Sequence, residues 1–468
     1  MLFTQIEFFI FFGVVLASLL IVRSNRIRKR VLLLASYYFY AYWDWRFLSL
    51  ILISTLVDYV VALALARTNR PNRRKVLLLT SLACNLGILG FFKYFNFFVE
   101  SMEAVLGSFG FHYGTLHIIL PIGISFYTFQ TLSYTIDVYR GRLDPCRNLF
   151  DFALFVAFFP QLVAGPIVRA SELLPQLRSE ARLSWYGTFL GFRQFTIGLF
   201  KKAFVADHIA VFVDHVFENA GAFDGVSTWL AVLAYGVQIY CDFSGYSDMA
   251  IGAGRIMGYH LPTNFRSPYL ATSMTDFWHR WHISLSTWLR DYLYIPLGGN
   301  RKGPVRTYVN IFITMVLGGL WHGASWTFVL WGALHGAALI VEKGLRQRFR
   351  PETQSAAVRR VPGILGWFIT MLIVFTAWVF FRAASLPEAL LIIRQMYGFS
   401  GGIAWYYPFV LLTLLLVGAG HVLVSMSAIN LRRLAYDRLV TPVVLFSMWW
   451  LILVFPVEGF HPFVYFQF

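Results

Sequence analysis

The fold class predicted by the sequence is an all-α polytopic integral membrane protein, and three observations predict it. The 468 residues are 58% hydrophobic and 18% aromatic with only 13% charged, far below the roughly 25% charge of soluble domains. Apolar stretches near the roughly 20 residues needed to cross a bilayer recur from Leu2 to Phe455. The basic residues behind a formal net charge of +16 lie in short loops between those stretches, which is the topology signal of a membrane protein. The same excess in a soluble chain would raise nucleic acid as a partner. Here it points to anionic lipid headgroups. Cys84, Cys146 and Cys241 are scattered without C-x-x-C spacing, so neither a disulfide framework nor a thiolate metal site is indicated.

Placing the basic loops in the cytoplasm orders the chain. Ile6 to Val22 has its arginine cluster, Arg23 to Arg30, after it rather than before, and reads as a retained first helix with the amino terminus outside. Val31 to Ala66 holds two spans folded at the aromatic turn Tyr42 to Trp45, and Arg67 to Lys75 returns to the cytoplasm. Val76 to Phe92 goes out, a loop with His112 and His117 follows, and Ile118 to Val138 comes back. Phe150 to Leu162 is short and broken at Pro160, which fits a re-entrant or interfacial element.

Trp185 to Val205 and Trp229 to Ile251 read as an outward and an inward span. From Ser273 to about Leu293 a single helix would set Phe277, Trp281, Leu285 and Trp288 on one stripe. Such a helix dips into the membrane rather than crossing it. Val309 to Val341, flanked by basic residues on both sides, must be a hairpin or a pair of half-helices with His322 near the apex. Gly318, Gly319, Gly323, Gly332 and Gly336 would let its arms approach closely. Ile364 to Phe381, Trp405 to Val424 and Val440 to Phe455 complete the bundle, with an inner loop containing Arg432, Arg433 and Arg438. The total is about ten to twelve crossings.

Three polar islands interrupt this apolar background, and polar groups at membrane depth point to function. Asp276 to Asn300 gathers two histidines, two arginines and two aspartates. His282 there suits either a structural hydrogen bond or a catalytic role. His322, between Trp321 and Gly323, is placed to take a proton from a hydroxyl as a neutral imidazole, or to bond another helix. Asp242 and Asp248 need cations at such depth, and Arg255, Arg266 or Arg280 can supply them. Arg280, Arg290, Arg301 and Lys302 suit an anionic donor or lipid headgroups alike. His279 and His282 at i, i+3 lack a matching carboxylate, so no metal is expected.

Taken as a set, these motifs resemble a known family. Phe277-Trp-x-Arg280-Trp-His282-x-Ser284, then Trp288-Leu-Arg-Asp-Tyr-x-Tyr294-x-Pro-Leu-Gly-Gly-Asn300, then Gly319-Leu-Trp-His322-Gly with Trp326, resemble the membrane-bound O-acyltransferases. The likeness is greatest to the branch that acetylates alginate and cellulose, related to the D-alanyl transfer proteins of teichoic acid. Pro121 to Gln130, Phe159 to Ile167, Gln238 to Asp248 and Asn264 to Tyr269 extend it over most of the chain.

The resemblance implies one membrane domain, 1–468, with a catalytic core about 118–342 and C-terminal helices 363–468. It implies further short helices around a central funnel, His322 and His282 as the active-site histidines, and Trp278, Arg280, Trp281, Ser284, Trp321, Asp242 and Asp248 as binding or funnel-lining residues. His279, where that branch commonly has arginine, is assigned no role. An acetyl group would come from acetyl-CoA or another acyl thioester, with no tightly bound cofactor. A periplasmic esterase-like acetyltransferase and a polysaccharide synthase complex would be the partners, in a bacterial inner membrane. The competing reading is a transporter or scaffold without chemistry, yet no internal repeat of the kind transporters carry is visible.

Overall fold

The computed structural model describes residues 1–107, 114–181, 183–348, 363–399, 401–426, 440–457, 459 and 462–464. The expected loop residue His112 and the inner-loop arginines Arg432, Arg433 and Arg438 lie outside these described residues. Among the described residues the secondary structure is helical, with one isolated bridge between Phe223 and Ile403. Among the described residues four helical stretches are long and apolar enough to cross a membrane: Trp45–Ala66, Pro71–Leu106, Trp326–Arg348 and Gly363–Arg382. Three shorter apolar helices, Ile6–Ile21, Pro408–Leu423 and Val440–Val454, accompany them. In the four long stretches only 17% to 44% of the most apolar window is buried inside the protein. Their remaining apolar surface faces outward, as contact with lipid requires. The chain is an all-helical polytopic membrane protein.

The backbone divides into two compact units. The first comprises Met1–Phe195 and Tyr246–Pro262, the second Thr196–Gly245 and Thr263–Phe468.

The first unit begins with α1 (Ile6–Ile21), α2 (Asn25–Ala41) and α3 (Leu48–Ala66). The expected fold at Tyr42 to Trp45 separates α2 from α3, where the Asp44 side chain accepts from the Arg46 backbone N–H. Then α4 (Pro71–Leu89) runs through a π-helical turn, Gly90–Tyr94, into α5 (Phe95–Leu106), so this helix extends well past the expected end at Phe92. Left-handed Gly123 starts α6 (Ile124–Tyr139). The segment expected to be re-entrant forms α7 (Leu149–Ala157) and α8 (Phe159–Leu162), broken at Phe158 before Pro160 and buried from Asp151 to Leu162. Asn148 caps α7 by accepting from the N–H groups of Phe150 and Asp151. α9 (Ala170–Arg178) and most of α10 (Trp185–Leu199) complete this unit.

In the second unit α10 continues through a π-helical segment, Phe200–Ala206, into α11 (Asp207–Glu218). α12 (Gly225–Ile256) follows, 32 residues long, and passes into the first unit at Tyr246. The single helix expected from Ser273 to about Leu293 is not continuous. It is α13 (Met274–Arg280), a break at Trp281 and His282, α14 (Ile283–Leu289) and a π-helical turn, Arg290–Tyr294. Tertiary contacts explain the break. The extended run beside it captures the freed backbone groups: Arg266 donates its N–H to the carbonyl of Arg280 at 3.0 Å, and Ile283 donates to the carbonyl of Asn264 at 2.9 Å. The stripe survives the kink, and Phe277, Trp281, Leu285 and Trp288 are all buried.

The expected hairpin is α15 (Gly303–His322) and α16 (Trp326–Arg348), with His322 the last residue of the first arm. Its arms meet backbone to backbone at two glycines. A Cβ on Gly319 would lie 2.2 Å from the Phe328 carbonyl oxygen, and one on Gly332 would lie 2.4 Å from that of Met315. Any larger residue would push the arms apart. α17 (Gly363–Arg382), α18 (Leu386–Gly398), α19 (Pro408–Met426) and the apolar helix Val440–Val454 follow. The short helices α9, α11 and α18 carry no signal long enough to read as spans.

Candidate active site

The site grows out of the break between α13 and α14. His282 sits there with φ of 44°, the left-handed region that a non-glycine residue adopts at a cost of about 1–2 kcal/mol. Asn264 holds it in place. Its Oδ1 accepts from the backbone N–H of Ser284 at 3.1 Å and from Ser284 Oγ at 2.9 Å, and lies 3.2 Å from His282 Nδ1. One amide oxygen therefore caps α14 from outside that helix and orients the imidazole. His282 is fully buried, and burial pushes its pKa down from 6.5 to about 3. The ring is neutral at physiological pH.

His322 faces it. The two imidazole centroids are 6.2 Å apart, with planes inclined at 53°. His322 is 3% exposed. Aromatic rings enclose the pair: Trp321 is 6.1 Å from His282 and 5.0 Å from His322, Phe243 is 4.6 Å from His282, and Trp331 and Phe381 are 5.1 and 5.3 Å from His322. Polarising groups act most strongly in such a dry setting.

Residues 146–385 match the family model of MBOAT, the membrane-bound O-acyltransferase family. The chain belongs to this family. Among curated relatives of this membrane-bound O-acyltransferase, a Pseudomonas putida protein named "Probable alginate O-acetylase" is 45% identical over 410 residues, covering 86% of this chain and 81% of that one. A Helicobacter pylori peptidoglycan O-acetyltransferase is 42% identical over 403 residues, 80% of this chain and 74% of that one. A Streptococcus thermophilus teichoic acid D-alanyltransferase is 28% identical over 296 residues, 57% and 69% of the two chains. This O-acyltransferase is accordingly a membrane-embedded, multi-pass enzyme that transfers acyl groups.

The other residues singled out in the sequence divide into those near the histidines and those held elsewhere. Trp281 is buried against Phe265, Phe277 and Trp378, and Trp278 packs on Trp331 and His335. Ser284 is committed to Asn264. Arg280 forms an i, i+4 pair with Asp276 at 2.8 Å, and each side chain is about one-third exposed. His279 is exposed.

Asp242 takes none of the expected arginines. Its partner is Lys202, 2.7 Å away on the π-helical segment, and its second oxygen accepts from the Val464 N–H at 3.0 Å. Lys202 lies forty residues earlier in an apolar run, so spacing could not reveal it. Asp248, six residues further along α12, belongs to the first unit, where it accepts from Gln194 Nε2 at 3.1 Å.

Sequence reasoning missed two residues, one in contact with His282 and one a ring removed from His322. Asn264 stands in one of the motifs that carry the family likeness, but no local pattern discloses what its side chain caps. His335, on the second arm of the hairpin, is fully buried between Trp278 at 5.2 Å and Trp331 at 4.7 Å. Neither of its ring nitrogens has a hydrogen-bond partner among the described residues. A histidine in so apolar an arm was the available signal.

Proposed function

We propose that this enzyme takes an acetyl group from a cytoplasmic acyl thioester, acetyl-CoA or another carrier, and passes it across or within the membrane for O-acetylation of an exopolysaccharide, alginate or cellulose. One observation carries the assignment of the chemistry: two buried histidines, from the α13–α14 break and from the hairpin apex, stand with ring centroids 6.2 Å apart. The names of the alginate and peptidoglycan relatives support a polysaccharide as the destination.

In this reading His322 is the general base. It takes the proton of the acceptor hydroxyl as that oxygen attacks the thioester carbonyl; the new C–O bond forms, the C–S bond breaks, and the proton passes to the departing thiolate. A well-placed base contributes roughly 10² to 10⁴-fold. His282, neutral and held by Asn264, orients the reacting group or donates to the developing oxyanion. The Trp-lined surroundings limit hydrolysis of the donor by water.

Trp278, Trp281, Trp321, Arg280 and Ser284 would form the wall of the donor path, within a core of about 118–342. Asp242, held by Lys202, and Asp248 support the surrounding helices. Exposed basic residues such as Arg301 and Lys302 favour the cytoplasmic side of a bacterial inner membrane. A periplasmic esterase-like protein and a polymer synthase complex would carry the acetyl group onward.

Acetyl transfer from labelled thioester in membranes tests the reading. His322→Ala should lower it by roughly 10² to 10⁴-fold at unchanged protein level, and His282→Ala should also impair it. Full transfer by the His322 variant would overturn the assignment, since only a scaffold or passive pore tolerates loss of that imidazole.

A further inference from the structure

The short helix α11 carries two carboxylates that take no part in the acyl-transfer chemistry. Asp207, its first residue, and Asp214 stand seven apart, which puts them on one face of the helix, roughly 10 Å from each other along its axis. Each is taken by a cation. At the first turn Lys202, whose side chain is 4% exposed, bridges Asp207 at 2.8 Å and Asp242 of α12 at 2.7 Å. Two turns later Asp214 pairs at 2.6 Å with Arg382, the last residue of α17. The Arg382 guanidinium also lies over the ring of Phe217, 5.5 Å from its centroid, which holds it against the same helix.

Both elements tied to α11 carry, next in the chain to the tied residue, a ring that walls a histidine. Phe243 follows Asp242 and meets the His282 imidazole edge to face, with centroids 4.6 Å apart and planes at 87°. Phe381 precedes Arg382; it lies 5.3 Å from His322 and 5.4 Å from Trp331, itself 5.1 Å from that imidazole. A peptide unit is stiff, so an ion pair that fixes one residue limits how far its neighbour can shift.

The two ends differ in depth. Asp242, 1% exposed, is buried with Lys202, and stranding one partner of a buried pair is strongly destabilising. The side chains of Asp214 and Arg382 are 41% and 22% exposed, and an ion pair so placed contributes little to stability. Its geometry is of more consequence than its energy, because a displacement of about 1 Å at a reacting group can cost about 10²-fold in rate.

We propose that α11 is a brace that sets the aromatic walls of the two histidines. Lys202, Asp207 and Asp242 form one end and hold the wall of His282; Asp214 and Arg382 form the other and hold the wall of His322. They act through Phe243 and Phe381, as positioning residues rather than catalytic ones. The inference rests on the reading of His282 and His322 as the catalytic pair. Because each end serves one histidine, damage at an end is felt mainly at the histidine it serves, whereas an ion pair that only stabilises the fold has no such preference.

Deuterium exchange at the imidazole C2 position, resolved for each histidine by mass spectrometry on the full chain in nanodiscs, tests this apart from catalysis. Arg382→Gln or Asp214→Asn should speed exchange at His322 by roughly threefold or more and leave His282 unchanged. Asp242→Asn, which keeps the side-chain shape and leaves Lys202 paired with Asp207, should do the reverse. Each variant should also lower acetyl transfer from labelled acetyl-CoA about tenfold, in kcat rather than KM, and the Arg382 and Asp214 variants should melt as the wild type does. Exchanging the charges, Asp214→Arg with Arg382→Asp, should restore both slow deuterium exchange and transfer. Exchange unaltered at both histidines, exchange raised equally at both, or failure of the swapped pair to restore it would overturn the brace. Should exchange respond end by end while transfer keeps its wild-type rate, the catalytic assignment of the pair falls and the brace stands.

Discussion

Asp58 in the first unit and His335 in the second are both fully buried polar residues on apolar helices, yet their surroundings are opposite. Asp58 accepts from the hydroxyls of Ser81 and Thr135 and from Asn85 Nδ2, and Asn85 in turn accepts from Ser54. Every polar atom that meets the carboxyl is spoken for, which marks a network that locks α3, α4 and α6 together. His335 touches Phe277, Trp278 and Trp331, and its two nitrogens have no hydrogen-bond partner among the described residues. Its hydrogen-bonding capacity stays unfilled one aromatic ring, Trp331, away from His322. The difference teaches that burial of a polar group does not itself identify function; the completeness of its partners does.

Substitutions at these two positions should move stability in opposite directions. Asp58→Val strands Ser81, Thr135 and Asn85 at once and should destabilise the protein by about 3 kcal/mol or more, read as a lower melting temperature in detergent. Surviving protein should transfer acetyl groups at the normal rate per folded molecule, and an unchanged melting temperature would break the contrast. His335→Phe removes a buried group that lacks partners and should stabilise by about 1 kcal/mol. It should also lower transfer roughly tenfold, about 1.4 kcal/mol in the barrier. If both stability and rate are unaffected, His335 is mere packing.

The pH profile sharpens the same comparison. The imidazole of His282 has its pKa lowered by burial from 6.5 to about 3, so it binds no proton in the folded state over a range where the unfolded chain does. Its contribution is complete above pH 6.5 and is lost as pH falls from there toward 3, at up to about 1.4 kcal/mol per pH unit. Thermal melts between pH 7 and 5 should show that slope decrease when His282 is replaced by Asn. An unaltered slope would show that this histidine does not carry it. The smallest effect belongs to His279, exposed one turn before the break: His279→Arg should leave melting temperature and transfer rate within experimental error.

The sequence disclosed much of this, and its omissions share a cause. Apolar run length and basic loops located the first fold-back, the short broken segment at Phe150 to Leu162 and the α15–α16 hairpin with His322 at its apex, because those features depend on neighbours in the chain. The continuous dipping helix from Ser273 to about Leu293 was the expectation that failed. Periodicity reports which residues share a face, and that face is real; it does not report that the run at Asn264 to Arg266 takes over the helix's hydrogen bonds. Likewise an aspartate at membrane depth announces its need for a cation, but local spacing pointed to arginines while the fold supplied Lys202.

By itself, then, the sequence determined that the chain is an all-helical membrane protein, that it carries the motifs of the O-acyltransferases, and which two histidines stand out in its apolar background. Only the tertiary structure decided that these histidines meet, that Asn264 holds one of them, and that Lys202 neutralises Asp242. The physical reason is range. Hydrophobic periodicity and positive-inside charge act along the chain and can be read from it, whereas a buried polar group is satisfied by whichever element packs against it, and that element is chosen by the whole fold.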